Sequence, residues 1–407
     1  MTRASSAMES VRAAYVHIPF CVSKCYYCDF NSYPGLESLF RDYVRAVVLE
    51  IEIAASKSGR VREAFSEHES LSTIYFGGGT PTVLPTELLE PILQALKHVF
   101  GIDRAAEVTI EANPESVDKP KVEKLRSMGF NRLSLGVQSL DDKMLERLGR
   151  IHRAQDALRA FWDARQAGFE SINLDLMFGL PGQTLDHWEN ELRTILHLRP
   201  EHLSMYELSV EPKTPLASMV QNKSLSLPDE EAKLEMYEKA ISETKSAGYE
   251  HYEVSNLALP GFRCRHNQVY WRNEPFYGFG AGATSYLART RTRKLSNPRD
   301  YISAVFSGQE PVEYSEKLAD RALLGETILL GLRMLDGIDL TDIQSAIGLD
   351  PFREFGLEIA DLVRRGLVEL RGSRMRVTHD GLLLLNDVSE MFVEPRICPT
   401  TSPSAEI

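Results

Sequence analysis

Three cysteines stand within eight residues in "HIPFCVSKCYYCDF", where Cys21, Cys25 and Cys28 follow a C-x3-C-x2-C spacing. Thiolates are soft ligands, and three of them on one short turn suit three corners of an iron–sulfur cubane. A fourth cysteine would close such a cluster. Without it one iron stays open to a ligand from outside the chain, as an open position separates a catalytic metal site from a structural one. Two other arrangements use the same residues: a Cys3His zinc site completed by His17, and three thiols with no common partner. His17 falls on a predicted strand and zinc ligands usually come as two close pairs, so the [4Fe-4S] reading is favoured.

From Ala13 to about Val210 the chain alternates β-rich runs with stretches of helical period. The runs are "AAYVHIPF", "LSTIYFGGG", "AEVTIEAN", "NRLSLGVQS", "SINLDLMFGL" and "HLSMYELSV", each closed by Gly, Pro, Asn or Ser, and they predict buried strands. Between them Phe40, Tyr43, Val44, Val47 and Ile51 keep the spacing of an amphipathic helix, as do "PTELLEPILQALKHVF" and "TLDHWENELRTILHL". Strand then helix, repeated, predicts an α/β fold with parallel strands joined by crossover helices. The alternatives are an open doubly wound sheet and an incomplete barrel; a partial (β/α)6 barrel is preferred. In both, ligands gather at the carboxyl ends of the strands. The cysteine loop and then "GGGTP", "EANPE", "GVQS" and "DLMFGLPGQ" follow the first five strands in turn.

Residues 228–246 predict another helix, followed by a long irregular stretch, "HYEVSNLALPGFRCRHNQVYWRNEPFYGFGAGATSY". A loop of that length inside a folded chain points to function. Beyond about residue 310, three helical patterns and a hairpin, "LVEL-RGSR-MRVT", predict a smaller α+β module like a winged helix. No basic recognition helix accompanies it, which favours packing or docking over DNA binding. The expected division is a tail over 1–12, the barrel over 13–230, an extension over 231–309, the winged-helix-like domain over 310–392 and a disordered tail over 393–407.

The 43% hydrophobic and 26% charged fractions of the 407 residues are those of a globular protein, and no apolar run approaches the ~20 residues of a spanning helix. The first residues, "MTRASSAMESVRAA", lack the apolar stretch of a secretory signal, so a cytoplasmic location is expected, with free or metal-bound thiols. A formal net charge of -12 argues against nucleic acid as a main partner, and with it against an RNA-modifying enzyme.

The cysteine motif flanked by aromatics, with "GGGTP" after the next strand, resembles the radical S-adenosylmethionine (SAM) superfamily, whose open iron chelates the amino and carboxylate groups of SAM. "YVHIPFC", "GVQS", "LGRIHRAQDA", "DLMFGLPGQ", "YEVSNLALPGFRCRHNQVYW" and "GFGAGATSY" narrow the likeness to the oxygen-independent coproporphyrinogen III oxidase group, over about Ala13 to Asp387. The resemblance implies that Gly78, Gly79 and Thr80 approach the methionine end of SAM, with Arg150 pairing its carboxylate and Glu111 its amino group. Gln138 and Asp175 would hold the ribose, and Tyr15, Tyr27, Met177 and Ser209 would line the nucleoside.

That group has two branches. The decarboxylating enzymes carry a further cysteine two residues after the third and a long N-terminal extension; here Phe30 holds the position and twenty residues precede Cys21. Both features, and "HNQVYW" at His266 to Trp271, resemble the heme chaperone branch, HemW. The implied function is a heme chaperone that binds a SAM-ligated [4Fe-4S] cluster and heme, and passes heme to acceptors such as membrane respiratory enzymes. The alternative is the oxidase, in which SAM-derived radicals drive loss of carbon dioxide from the propionates. His266 is a candidate heme-iron ligand with Tyr270 and Trp271 as flat faces; equally, these residues can satisfy a buried loop. Cys264 and the Cys398–Pro399 pair are lesser ligand candidates. A homodimer is left open.

Overall fold

The computed structural model describes residues 11–57 and 70–393. Most of the tail expected over 1–12, and the tail over 393–407 with Cys398 but for Val393, lie outside them. Two compact units emerge, one of Met1–Tyr270 with Glu274–Lys317, the other of Trp271–Asn273 with Leu318–Ile407.

In the first unit all six apolar runs form strands: β1 (Ala13–Ile18), β2 (Leu71–Gly78), β3 (Ile102–Ala112), β4 (Arg132–Gln138), β5 (Ser171–Phe178) and β6 (His202–Glu207). They lie side by side in chain order, all parallel. An antiparallel hairpin, β7 (Glu250–Glu253) and β8 (Asn256–Ala258), extends the sheet beyond β6. β9 (Tyr277–Phe279) joins the other edge, parallel to β1. The order β9-β1-β2-β3-β4-β5-β6-β8-β7 does not close on itself among the described residues, so the barrel is partial.

Helices α1 (Phe40–Lys57), α2 (Thr86–Phe100), α3 (Lys119–Met128), α4 (Ala154–Gln166), α5 (Leu185–Leu198) and α6 (Glu230–Ser246) follow in turn. On α1 the predicted face is the buried one, with Tyr43, Val44, Val47 and Ile51 all in the core. Thr184 starts α5 by accepting a hydrogen bond from the His187 amide, satisfying one of the donors a helix leaves orphaned. Leu133, Leu135 and Val137 of β4, Ile172, Leu174 and Leu176 of β5, and Leu203 and Met205 of β6 belong to this same core. Side chains of a strand alternate between faces. The residues between them, Arg132, Ser134, Asn173, Asp175 and Ser204, therefore turn to the concave side and make it polar.

The stretch expected to be one long irregular loop is instead built of short elements. It contributes β7, β8, the helix α7 (Arg265–Trp271) and β9, and opens a three-stranded antiparallel sheet of Thr284–Leu287, Thr290–Lys294 and Val312–Lys317. β7, β8 and β9 have four, three and three residues, too short to show a period in sequence. Pairing with existing strands supplies what local pattern does not.

The second unit matches the expected winged-helix-like order. Helices Asp320–Gly331, Leu340–Ile347 and Pro351–Arg364 precede the hairpin Val368–Arg371 and Arg374–Val377, with Ile338–Asp339 as a third strand. Leu324, Ile328, Phe355, Leu362 and Met375 are fully or almost fully buried in it. Trp271 belongs to this unit, where the Arg333 guanidinium lies 4.5 Å from the centroid of its ring.

Candidate functional site

The polar concave faces of the strands enclose a bore with a cavity of about 410 Å3. It runs from the cysteine loop at the carboxyl ends of the strands to Arg132 at the start of β4 and Asn267 on α7. Cys21, Cys25 and Cys28 all line it. The Cys21 Sγ lies 3.5 Å from Thr80 Oγ1, Arg150 Nη1 donates to Cys25 Sγ at 3.5 Å, and Cys28 Sγ is 4.0 Å from Ser32 Oγ. A Cβ on Gly79 would stand 2.6 Å from the Phe20 carbonyl oxygen and 3.0 Å from Cys21 Sγ, so glycine is what lets the second strand end against the loop. Burial raises the thiols of Cys21 and Cys28, so iron has to displace protons to bind them.

No three His, Cys, Asp or Glu side chains among the described residues converge as a single metal ion requires. A cubane spreads its thiolates over separate corners, and three thiols on one loop facing one cavity fit it. The zinc alternative loses its fourth ligand. Both His17 nitrogens are engaged, Nδ1 with Tyr15 Oη at 3.0 Å and Nε2 with the Asn31 carbonyl at 2.9 Å. Burial lowers its pKa to about 4, leaving a neutral packed ring.

Of the residues the resemblance assigns to SAM, Tyr27, Gly78, Gly79, Thr80, Glu111, Gln138, Arg150, Asp175, Met177 and Ser209 line this same cavity. Glu111 accepts from Tyr75 Oη at 2.8 Å and from the Gly78 amide at 3.1 Å. Burial, with the Asp175 carboxyl adding to it, still lifts Glu111 to about 7 against these hydrogen bonds. Arg150 Nη2 donates to Asn113 Oδ1 at 2.7 Å and to the Gly136 carbonyl at 2.8 Å. Gly136 makes room for this: its Cβ would fall 2.7 Å from Asn113 Oδ1. Gln138 ends β4 with φ 65°, a left-handed conformation that costs energy in a non-glycine residue and clusters at functional sites. Asp175 accepts from Ser134 Oγ at 3.2 Å and Asn173 Nδ2 at 2.8 Å, and burial raises its pKa. A fixed guanidinium and a carboxyl that titrates near neutral pH in one cavity suit the carboxylate and the amino group of an α-amino acid.

Two assigned residues are absent from the cavity lining. Tyr15 is stacked on Tyr75 and on His266, with ring centroids 6.2 and 6.4 Å apart. His266 is 1% exposed, its Nδ1 3.0 Å from Thr73 Oγ1 and its Nε2 2.9 Å from Tyr270 Oη. Burial brings its pKa down to about 3, so the ring is neutral. Glu107 anchors α7 by accepting from the amides of Arg265 at 3.0 Å and His266 at 3.1 Å. Of the "HNQVYW" segment, His266 packs behind the bore and Asn267 is the member that faces the cavity. Cys264 is fully buried with its thiol toward Glu107 and its pKa raised to about 12, the state of a packed thiol.

Tyr75, Asn113, Arg132, Ser134, Asn173, Ser204 and Tyr206 also line the cavity and were not singled out from sequence. The signal was present: a polar residue at every second position of strands that are otherwise apolar.

Residues 15–195 match the family model described as the Radical SAM superfamily, and 318–384 that of the HemN C-terminal domain. The solved Escherichia coli structure titled "Coproporphyrinogen III oxidase (HemN) from Escherichia coli is a Radical SAM enzyme" has the same fold, with TM-score 0.80 and 24% identity over 95% of this chain and 91% of that one. The curated Heme chaperone HemW of Escherichia coli is 33% identical, covering 93% of this chain and 97% of its own. The Heme chaperone HemW of Bacillus subtilis is 38% identical, covering 94% of this chain and 99% of its own. With that identity over nearly the whole of both chains, a radical SAM barrel and three cysteines at the mouth of its bore, the chain belongs to the HemW family of the radical SAM superfamily.

Proposed function

We propose that this protein is a heme chaperone that carries a SAM-ligated [4Fe-4S] cluster on Cys21, Cys25 and Cys28 and passes heme to acceptor proteins such as respiratory enzymes. The observation that carries this reading is the near full-length likeness to proteins named heme chaperone. Phe30 supports it: the position where the oxidase branch carries a further cysteine holds a phenyl ring, 65% exposed, at the cavity mouth. Val22, Tyr26 and Tyr206 are exposed apolar residues on the same loop or the facing strand end, a surface on which a flat macrocycle can lose water contact. Arg150 and Glu111 would clamp the amino-acid end of SAM, Gln138 and Asp175 its ribose, and Tyr27, Met177 and Ser209 its base. When bound, the cluster supplies one-electron chemistry at SAM. No described helix is long and apolar enough to cross a membrane.

The test is anaerobic reconstitution with parallel assays. We expect stoichiometric heme uptake and no turnover of coproporphyrinogen III. Efficient conversion to protoporphyrinogen without heme uptake would overturn the chaperone reading in favour of the oxidase.

The role of His266 as heme-iron ligand is separable from this. Ligation would require its ring to leave Thr73 and Tyr270. His266→Ala is expected to lower the unfolding free energy by about 2–4 kcal/mol, because two hydroxyls lose a buried partner and a cavity opens. Chemical denaturation measures this, and unchanged heme affinity of the folded variant would remove His266 as the ligand.

A further inference from the structure

A single carboxamide stands between two of the cluster thiols. Asn113, which follows β3 directly, lines the cavity; its Nδ2 donates to Thr80 Oγ1 at 2.9 Å and its Oδ1 accepts from Arg150 Nη2 at 2.7 Å. Both partners reach onward. Thr80 Oγ1 lies 3.5 Å from Cys21 Sγ, and Arg150 Nη1 donates to Cys25 Sγ at 3.5 Å. A continuous chain of hydrogen bonds thus runs from Cys21 through Thr80, Asn113 and Arg150 to Cys25. Cys28 stands outside it, with Ser32 Oγ 4.0 Å away.

The direction of each bond follows from what the groups can do. A guanidinium only donates, so the carboxamide oxygen has to face Arg150 and the amide nitrogen has to face Thr80. The Thr80 hydroxyl therefore accepts from Asn113 and keeps its own proton to give. A cysteine that holds iron does so as a thiolate, which only accepts. With iron bound, Thr80 donates to Cys21 and Arg150 to Cys25, and the fixed orientation of one amide sets the polarity of both arms.

The turn that carries Asn113 does not depend on this amide. The Asn113 backbone N–H donates to Ser116 Oγ at 3.1 Å, and its carbonyl accepts from Ser116 Oγ at 2.7 Å and from the Ser116 amide at 2.9 Å. The side chain is thus left to Thr80 and Arg150.

Hydrogen bonds to the sulfurs are among the factors that set the potential of an iron–sulfur cluster, because they favour the more negative, reduced state. We propose that Asn113 is a positioning residue that aims the Thr80 hydroxyl at Cys21 and the Arg150 guanidinium at Cys25, and through these two arms raises the reduction potential of the cluster. This rests on the assignment of the cluster to Cys21, Cys25 and Cys28, and extends it to a side chain whose own bonds go to neither thiol.

The experiment is an anaerobic redox titration of the full chain, loaded with cluster and free of SAM, read by the electron paramagnetic resonance of the reduced cluster. Asn113→Leu keeps the volume and removes the carboxamide. At a fixed potential near the midpoint, the ratio of oxidised to reduced cluster is expected to rise roughly 3- to 10-fold, the worth of about one hydrogen bond. Thr80→Val removes the Cys21 arm alone and should move the midpoint in the same direction by less. In the double variant the shift should fall short of the sum of the two, because part of the effect of Asn113 passes through Thr80. An unchanged midpoint in Asn113→Leu, or single shifts that add in full, overturns the proposal. If Asn113→Leu takes up no cluster, Thr80→Val decides in its place: a more negative midpoint supports the proposal and the wild-type midpoint overturns it. Iron and acid-labile sulfide are measured on the same samples. A wild-type chain without cluster overturns the cluster assignment and this proposal with it, whereas a loaded chain with an unmoved midpoint overturns this proposal alone.

Discussion

Cys21→Ala, Cys25→Ala and Cys28→Ala are each expected to abolish cluster binding, so that iron and acid-labile sulfide fall to background after anaerobic reconstitution. Among the described residues no other thiol can replace them, because Cys264 is buried behind Glu107 and does not line the cavity. Loss of a partner outside the coordination sphere typically costs roughly 10–100-fold in metal affinity, and loss of a ligand costs more. The folded chain should survive the change. All three cysteines are only partly buried, and the strand ends beside them are held by backbone bonds such as Gly79 N to Ile18 O at 2.9 Å and Thr80 N to Phe20 O at 2.7 Å. Circular dichroism should therefore be unchanged where iron is lost. Cys264→Ser is the control and should keep full iron content. Retention of stoichiometric iron by any of the three cysteine variants would refute the assignment.

The barrel was legible because its strands bury one apolar face under helices, and both patterns are periodic enough to read. The cysteine motif and the residues after each strand were legible for a related reason: in a parallel α/β sheet the loops that follow the strands share one end. What stayed hidden depends on packing between distant segments. The sequence left His266 equally a heme-iron ligand or part of a buried loop; the chain brings it 193 positions back to Thr73, where both ring nitrogens are used within the protein. The edge strands β7 to β9 have too few residues for a period and exist because β1 and β6 offer unpaired edges. Arg132 gave no signal as a single residue. Only the alternation through β4, with Ser134, Gly136 and Gln138 on the same face, assigns it to the bore.

Affinity for SAM is expected to rise with pH through about 7 and then level off, because Glu111 titrates there. Burial disfavours its charged form, and the Asp175 carboxyl adds to this, so its pKa stands at about 7 rather than 4.5. The amino group of SAM, its lone pair given to iron, still presents N–H donors that the ionised carboxylate accepts more strongly than the neutral acid, so each pH unit below about 7 should weaken binding by up to roughly tenfold. The empty protein responds in the opposite sense. A carboxyl whose folded pKa is raised adds stability that is fully present below about pH 4.5 and is lost as pH rises through about 7, since the folded state then gives up a proton it held more tightly than the unfolded chain. Ligand-free unfolding measured across this window should show that loss, and saturating SAM should reverse it. Glu111→Gln keeps the shape and the neutral hydrogen bond but cannot ionise. It should bind SAM roughly 10- to 100-fold more weakly at pH 8, with a flat profile from pH 6 to 8, as loss of a hydrogen bond to a charged group predicts. Equilibrium dialysis of the cluster-loaded protein measures both. A wild-type profile already flat over that range, or a Glu111→Gln variant that keeps the wild-type slope, would remove Glu111 from the amino-group site and leave its proton to Tyr75 and Asp175 alone.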